Sequence, residues 1–123
     1  MSHEFEPNSS KIIEAAIAVH KALGPGYMET IYHRALRVAF DHREIVYENQ
    51  KEVHILFEGV DVGVHFLDLL VAGDIVVELK AVKALEEIHF SQVKSYLKAT
   101  GLRVGLLLNF NAPTLVIKRV VLG

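Results

Sequence analysis

The fold is decided by residues 68–80, which read DLLVAGDIVVELK, two apolar runs joined by a short turn. Apolar runs of this length indicate β-strands, and the turn fits a three-residue hairpin loop in which Gly73 can adopt a positive φ. A hairpin centred on Gly73 places Asp68 directly opposite Glu78. Because strand residues two apart point to the same side, Lys80 shares the face of Glu78. The pattern therefore predicts that an Asp, a Glu and a Lys converge on one patch of one sheet face.

This combination of two acids and one lysine points to a particular chemistry. Two carboxylates without an arginine beside them repel each other unless a cation lies between them, and a nearby lysine suits an anionic substrate or a nucleophile. The pattern indicates metal-dependent phosphodiester chemistry. The alternative is a structural salt-bridge patch on a solvated face, because exposed cross-strand pairs are common and contribute little. We expect Phe66, Leu70 and Val76 to share the face, which would place the acids in partly apolar surroundings where they need partners or a metal.

Length and composition limit the number of domains and the class of protein. The chain has 123 residues, enough for one domain with its own core. We expect residues 1–9 to form a flexible N-terminal tail and residues 10–123 to form a single domain. The chain has no cysteine, which excludes disulfides and thiolate metal sites and fits a cytoplasmic protein. No apolar run reaches the roughly 18 residues that span a bilayer, so no membrane partner is expected.

The charge balance limits how the chain could bind a polyanion. Its formal net charge of −2 is not that of a strongly basic nucleic-acid binder. Binding to nucleic acid would therefore need a local basic patch. Exposed lysines and arginines of the C-terminal half could line such a groove, or could simply be solvated: Lys83, Lys94, Lys98, Arg103, Lys118 and Arg119.

Hydrophobic periodicity and breakers give the order α-α-β-β-β-α-β-β. The predicted helices cover about 10–23, 28–42 and 86–100, and the predicted strands cover 45–50 with 52–57, then 62–71, 75–81, 102–110 and 115–122. The segment from residue 75 to residue 110 reads as a strand-helix-strand crossover with parallel strands. The continuously apolar run at 104–108 is typical of a strand buried on both faces.

Four blocks of sequence, in order, carry a resemblance to a known family. Residues 20–32 read HKALGPGYMETIY and contain Gly-x-x-Glu-x-x-Tyr, and the other blocks are 77–81 (VELKA), 89–97 (HFSQVKSYL) and 105–111 (GLLLNFN). Over roughly residues 11–121 the chain resembles the GxxExxY proteins, which are grouped with the PD-(D/E)XK nuclease-like superfamily. The resemblance implies an α/β, restriction-endonuclease-like α-β-β-β-α-β core, with a mixed sheet flanked by helices, an extra N-terminal helix and an extra C-terminal strand.

The resemblance also implies residue roles. Glu29 would be the acid carried by a helix, and Asp68 and Glu78 would be the two strand acids. Lys80 would be the catalytic lysine. Gln92 and, more loosely, Tyr96 would be the supporting polar residues on the following helix. A Mg²⁺ or Mn²⁺ ion would be held by Asp68, Glu78, the Leu79 carbonyl and water, with Glu29 binding it through water or orienting the nucleophile. The sequence departs from its relatives at Phe66, where an arginine is frequent, which weakens the case for phosphate contact there.

The implied function is metal-dependent hydrolysis of phosphodiester bonds in DNA or RNA. The alternative is a non-catalytic module that keeps the nuclease fold and binds nucleic acid or protein, or forms oligomers. The apolar C-terminal strand at 115–122 could be an edge that pairs with a second copy, giving a homodimer.

Several single residues also have a structural interpretation. Glu29 lies near a helix start, where a carboxylate interacts favourably with the helix dipole without any further role. Tyr32 is expected to be a packing residue with a hydrogen-bonding tip. His20 could form a hydrogen bond with Glu29, but we favour a core histidine whose ring is hydrogen-bonded elsewhere. Gln92 and Tyr96, spaced i and i+4, are either a polar stripe on a surface helix or a pair that orients water or Lys80.

Overall fold

The computed structural model describes residues 7–123. Its elements follow the predicted order, and their bounds are α1 (Pro7–Leu23), α2 (Glu29–His42), β1 (Tyr47–Phe57), β2 (Val60–Val71), β3 (Ile75–Lys80), α3 (Glu87–Thr100), β4 (Val104–Asn109) and β5 (Val116–Val121). The α/β class and the three flanking helices are as predicted.

Two elements, α1 and β1, differ most from the prediction, and the bounds of the others agree with it to within two residues. Helix α1 begins at Pro7 rather than at residue 10, because proline is well suited to the first helical position, where its missing N–H is not needed. Residues 1–6 of the expected tail lie outside the described residues. Strand β1 is continuous instead of interrupted near residue 51, although Gln50 has a φ of 55°.

The sheet has the order β1-β2-β3-β4-β5. Strands β3 and β4 are parallel and the other neighbours are antiparallel, so the predicted crossover through α3 is confirmed. In the β2–β3 hairpin Leu70 pairs with Val76 and Val71 pairs with Ile75. This is the register that a hairpin centred on Gly73 predicts.

The sheet separates two apolar clusters. Helices α1 and α2 cover one face, where Tyr32 stacks on Phe110 with ring centroids 4.8 Å apart. Helix α3 covers the other face through Val93 and Leu97. Strand β4 is buried along almost its whole length, as its apolar run predicts. Gly105 allows α3 to approach β4 closely, since a Cβ there would lie 2.7 Å from Val93 Cγ1.

The β1–β2 hairpin extends well past the rest of the sheet. Strand β3 pairs only with residues 69–71 of β2, so residues 51–67 project as a two-stranded ribbon, called the arm below. Val62, Val64 and Phe66 on the arm are exposed. No helix in the described part of the chain is long and apolar enough to cross a membrane.

The expected apolar surroundings of the acids are partly wrong. Phe66 is 47% exposed and belongs to neither cluster, whereas Leu67 packs with Leu70 and Val76. The inward-outward alternation of β2 is therefore broken near Asp68. We attribute this break to Gln50 in the neighbouring strand β1, which has a left-handed backbone conformation. Gln50 lies between Asn49, which pairs with Leu69, and Lys51, which pairs with Leu67.

Candidate active site

The candidate site forms where strands β2 and β3 separate. The ladder ends at the pair Leu69 and Val77, and beyond it side chains replace the backbone bonds. The Asp68 N–H donates to Glu78 Oε2 at 2.9 Å, and the Leu79 N–H donates to Asp68 Oδ2 at 2.8 Å. Each carboxyl group thus binds the backbone of the opposite strand, and the predicted convergence of the two acids is present.

The backbone of β3 explains how Leu79 takes part. The N–H of Phe110 donates to the Lys80 carbonyl at 2.9 Å, so the polar backbone groups of Lys80 face β4. The main-chain groups of successive strand residues point to opposite sides. The N–H and C=O of Leu79 therefore both point towards β2 and Asp68.

Burial raises the pKa of both carboxyl groups. Glu78 is only 6% exposed. This burial, followed by the charge of Asp68, raises the pKa of Glu78 to about 8, against the opposing effects of the Asp68 N–H and Lys80. Burial also raises the pKa of Asp68, although the Leu79 N–H and the nearby His33 and Lys80 lower it. Without a further cation, the site therefore favours holding a proton.

Glu29 joins this cluster from the first position of α2. The residue as a whole is exposed, but its carboxyl group is partly desolvated. Burial and then the charge of Asp68 raise the pKa of Glu29, while Lys80 lowers it. The structure thus brings Glu29, Asp68, Glu78 and Lys80 together, and the start of α2 is where the helix dipole also favours a carboxylate.

Helix α3 contributes the two remaining predicted residues. Lys80 Nζ lies 3.5 Å from Gln92 Oε1, at the long limit for a hydrogen bond. Burial, followed by the charges of Glu78 and Asp68, raises the pKa of Tyr96. Tyr96 also stacks on His65 of the arm, with ring centroids 3.9 Å apart and planes 16° apart. The structure therefore places Gln92 beside Lys80 and Tyr96 against the arm.

His20 and Tyr32 have structural positions. The His20 Nε2 lies 2.8 Å from the Ala112 carbonyl, so this buried ring is satisfied without Glu29. The Tyr32 hydroxyl donates to the Gly24 carbonyl at 2.6 Å and accepts from the Tyr27 N–H at 3.1 Å. The expected hydrogen-bonding tip of Tyr32 is confirmed. These bonds hold the turn that leads into α2.

Two histidines near the acids were not singled out by the sequence. The charges of His33 and His65 both lower the pKa of Asp68, so both rings lie within electrostatic reach of it. His33 follows Glu29 by four residues on α2, and this i, i+4 spacing was a usable signal. His65 had no such signal, because the alternation of β2 is broken before Asp68.

Asn109 is a buried polar residue that supports the site. It lies opposite Lys80 in the sheet. Its side chain accepts from the Val82 N–H at 3.1 Å and donates to the Val82 carbonyl at 2.9 Å. Asn109 thereby holds the chain directly after β3.

The donor set fits a hard divalent cation. Within residues 7–123 no three His, Cys, Asp or Glu side chains form a metal-binding group by themselves. The two carboxyl groups nevertheless each use one oxygen in the backbone bonds above, so a second oxygen of each remains as a possible cation ligand. Mg²⁺ is bound in this way, by one or two carboxylates together with water and substrate phosphate.

A mixed five-stranded sheet flanked by three helices is the architecture of a restriction-endonuclease-like α/β protein. A sequence profile of the PD-(D/E)XK nuclease superfamily matches residues 6–120. The chain therefore belongs to the PD-(D/E)XK nuclease superfamily. No curated protein and no solved structure gave a significant match. Nucleases of this superfamily generally use divalent metal ions, and the segment Glu78-Leu79-Lys80 has the E-x-K order of the family name.

Proposed function

We propose that the protein is a Mg²⁺- or Mn²⁺-dependent nuclease that hydrolyses phosphodiester bonds of DNA or RNA. The observation that carries this proposal is the exchange of hydrogen bonds between Asp68 and Glu78 at the point where their strands separate, with Lys80 beside them. Two desolvated acids with raised pKa values gain most from a divalent cation. Family membership supports the same chemistry.

The residues of the chain then take distinct roles. Asp68, Glu78 and the Leu79 carbonyl hold the ion, and Glu29 binds it through water or orients the attacking water. When bound, the ion would lower the pKa of a water molecule and stabilise negative charge on the phosphate. Lys80 donates to the phosphate oxygen that gains charge.

Gln92 is the supporting residue in this proposal. Its Oε1 lies 3.5 Å from Lys80 Nζ, so a small movement of either side chain would form a good hydrogen bond. That bond would aim the ammonium group at the scissile phosphate.

The experiment is a cleavage assay with fluorescent single- and double-stranded DNA and RNA in Mg²⁺ or Mn²⁺. We expect the wild type to cut at least one substrate. Glu78→Gln and Asp68→Asn should lower the rate by at least about 100-fold while leaving the fold intact by circular dichroism. Asp74→Asn, which neutralises an exposed acid in the turn of the same hairpin, is the matched control. Full activity in either site variant would contradict the assignment of Asp68 and Glu78 to the active site.

A second candidate is a non-catalytic binding module with the same fold. The exposed apolar residues of the arm favour it, because apolar side chains such as Val62 and Phe66 are 60% and 47% exposed and such surfaces often bind partners. Metal-independent, saturable binding of a polynucleotide without cleavage would support this candidate instead.

Three narrower assignments belong to the same proposal. The sequence blocks support membership of the GxxExxY proteins within the superfamily. Strand β5 is an edge of the sheet, which supports a homodimer formed by pairing of this edge with a second copy. The lack of cysteine supports a cytoplasmic protein.

A further inference from the structure

Strand β2 has a free edge where it forms the arm. Strand β3 pairs only with residues 69–71 of β2, and no other strand in the described part of the chain pairs with β2 on that side. Residues 60–67 therefore pair with β1 alone, and the side of β2 that faces away from β1 has no partner strand there. Such an edge is a template for pairing with a strand of another chain.

The side chains of this edge do not protect it from pairing. Natural edge strands are commonly protected by charged residues, especially lysine, by proline or by bulges. Residues 60–66 read VDVGVHF and contain one acid but neither lysine nor proline. The irregularity in the arm lies near its tip, between Ile55 and Leu56, and residues 63–67 pair with β1 in a regular register.

The two outer edges of the sheet, β1 and β5, are better protected. Strand β1 exposes the charged Lys51 and Glu52, and the left-handed Gln50 interrupts its extended backbone. Strand β5 exposes Lys118 and Arg119. Among these three edges, the arm edge of β2 is therefore the one best suited to accept a further strand.

The arm also exposes an apolar patch of the size that a dimer needs. Six large apolar residues of the arm are between 42% and 65% exposed: Leu56, Phe57, Val60, Val62, Val64 and Phe66. At this exposure each leaves roughly 50–100 Å² uncovered, so the patch measures roughly 300–600 Å². A stable dimer buries about 800 Å² per partner, of which about 500 Å² is apolar.

The charge and the geometry of the arm select the partner. Residues 51–67 contain three acids and one lysine, so the arm does not fit a polyanion such as nucleic acid. A free strand edge needs another free edge as its partner. The same strand in a second copy supplies an edge of equal length with the same apolar side chains, and a two-fold axis uses both edges, so that the pair closes.

We infer that residues 60–66 of β2 pair with the same strand of a second copy, so that the two arms form one continuous four-stranded antiparallel ribbon. The edge runs from the tip of the arm to Asp68, so the paired strand ends beside the candidate active site. This contact is separate from pairing through β5, and it does not depend on nuclease activity.

Sedimentation velocity over a series of micromolar concentrations tests the contact. Val62→Lys and Val64→Lys each place a lysine on the free edge, at positions that are already exposed. Val121→Lys is the matched control, because it makes the same change at an exposed valine of β5. We expect the wild type and Val121→Lys to form dimers of equal affinity, and each arm variant to raise the dissociation constant at least about tenfold. Circular dichroism confirms that the variants are folded.

Hydrogen exchange of the backbone amides locates the contact without relying on a variant. In the wild type, peptides that cover residues 60–66 should exchange at least about tenfold more slowly at high than at low protein concentration. Peptides that cover residues 116–121 should exchange at the same rate at both concentrations. The concentration effect at residues 60–66 should disappear in Val62→Lys.

Three results would overturn the inference. The first is a wild type that stays monomeric at every concentration. The second is a dimer that neither arm variant weakens, because the contact would then lie outside the arm. The third is a dimer that Val121→Lys disrupts and that protects residues 116–121, because the copies would then pair through β5. None of these results bears on whether the protein cleaves nucleic acid, so the proposed function is tested separately.

Discussion

Replacement of Glu78 by Gln should stabilise the folded protein at alkaline pH. Burial and the neighbouring Asp68 raise the pKa of Glu78 from 4.5 to about 8 in the folded state. Because the folded state binds this proton more tightly than the unfolded chain does, the stabilisation from the protonated carboxyl is complete below about pH 4.5 and is lost as the pH rises to about 8. Gln mimics the protonated acid at every pH and can still accept the Asp68 N–H through its carbonyl oxygen.

The size of the effect follows from the same two values. The step from 4.5 to about 8, at about 1.4 kcal/mol per pH unit, gives an upper limit of about 5 kcal/mol. Relaxation of the site and sharing of the proton with Asp68 reduce this limit. We therefore expect a gain of about 2–4 kcal/mol for Glu78→Gln above pH 8 and little difference below pH 5.

Urea denaturation of wild type and Glu78→Gln across this pH range, without divalent ions, measures the gain directly. The two curves of unfolding free energy against pH should meet at acidic pH and separate as the pH rises. Asp74→Asn should follow the wild type, because its carboxyl group is exposed. A variant that is less stable than the wild type at pH 9, or a constant difference at all pH values, would show that Glu78 does not hold its proton in the folded state at neutral pH.

Three further results are expected. Tyr32→Phe should cost about 1–3 kcal/mol in urea denaturation, since it removes the partner of the Gly24 carbonyl and of the Tyr27 N–H; a neutral change would contradict the assigned role. Gly105→Ala should cost about 1–3 kcal/mol in the same assay, because its Cβ would lie 2.7 Å from Val93 Cγ1; unchanged stability would mean that α3 moves freely. Mn²⁺ should bind more weakly at pH 6 than at pH 8 by calorimetry, because the acid whose pKa is about 8 must lose its proton, and pH-independent affinity would argue against Glu78 as a ligand.

The hairpin could be predicted because its information is local. Apolar runs on both sides of Gly73 specify two strands, a short loop specifies their register, and the register alone brings Asp68 opposite Glu78. Lys80 follows from the period of two along β3. The crossover to β4 was predictable for a similar reason, since a helical period separates two buried strands.

The surroundings of the acids could not be predicted in the same way. Phe66 was expected beside them, but the left-handed Gln50 in the neighbouring strand interrupts the alternation that the expectation assumed. His65 and Tyr96 meet only because the arm packs on α3, a tertiary contact between distant segments.

Calorimetric titration of Mn²⁺ into the folded wild type at pH 8 is the decisive measurement of whether Asp68 and Glu78 form a metal centre. Glu78→Gln is the site variant and Asp74→Asn the control, with circular dichroism to confirm that all three are folded. We predict saturable binding to the wild type and to Asp74→Asn, and loss of binding in Glu78→Gln. Equal binding to wild type and Glu78→Gln, or no binding to the wild type even with a phosphodiester oligonucleotide present, would contradict a metal centre at Asp68 and Glu78.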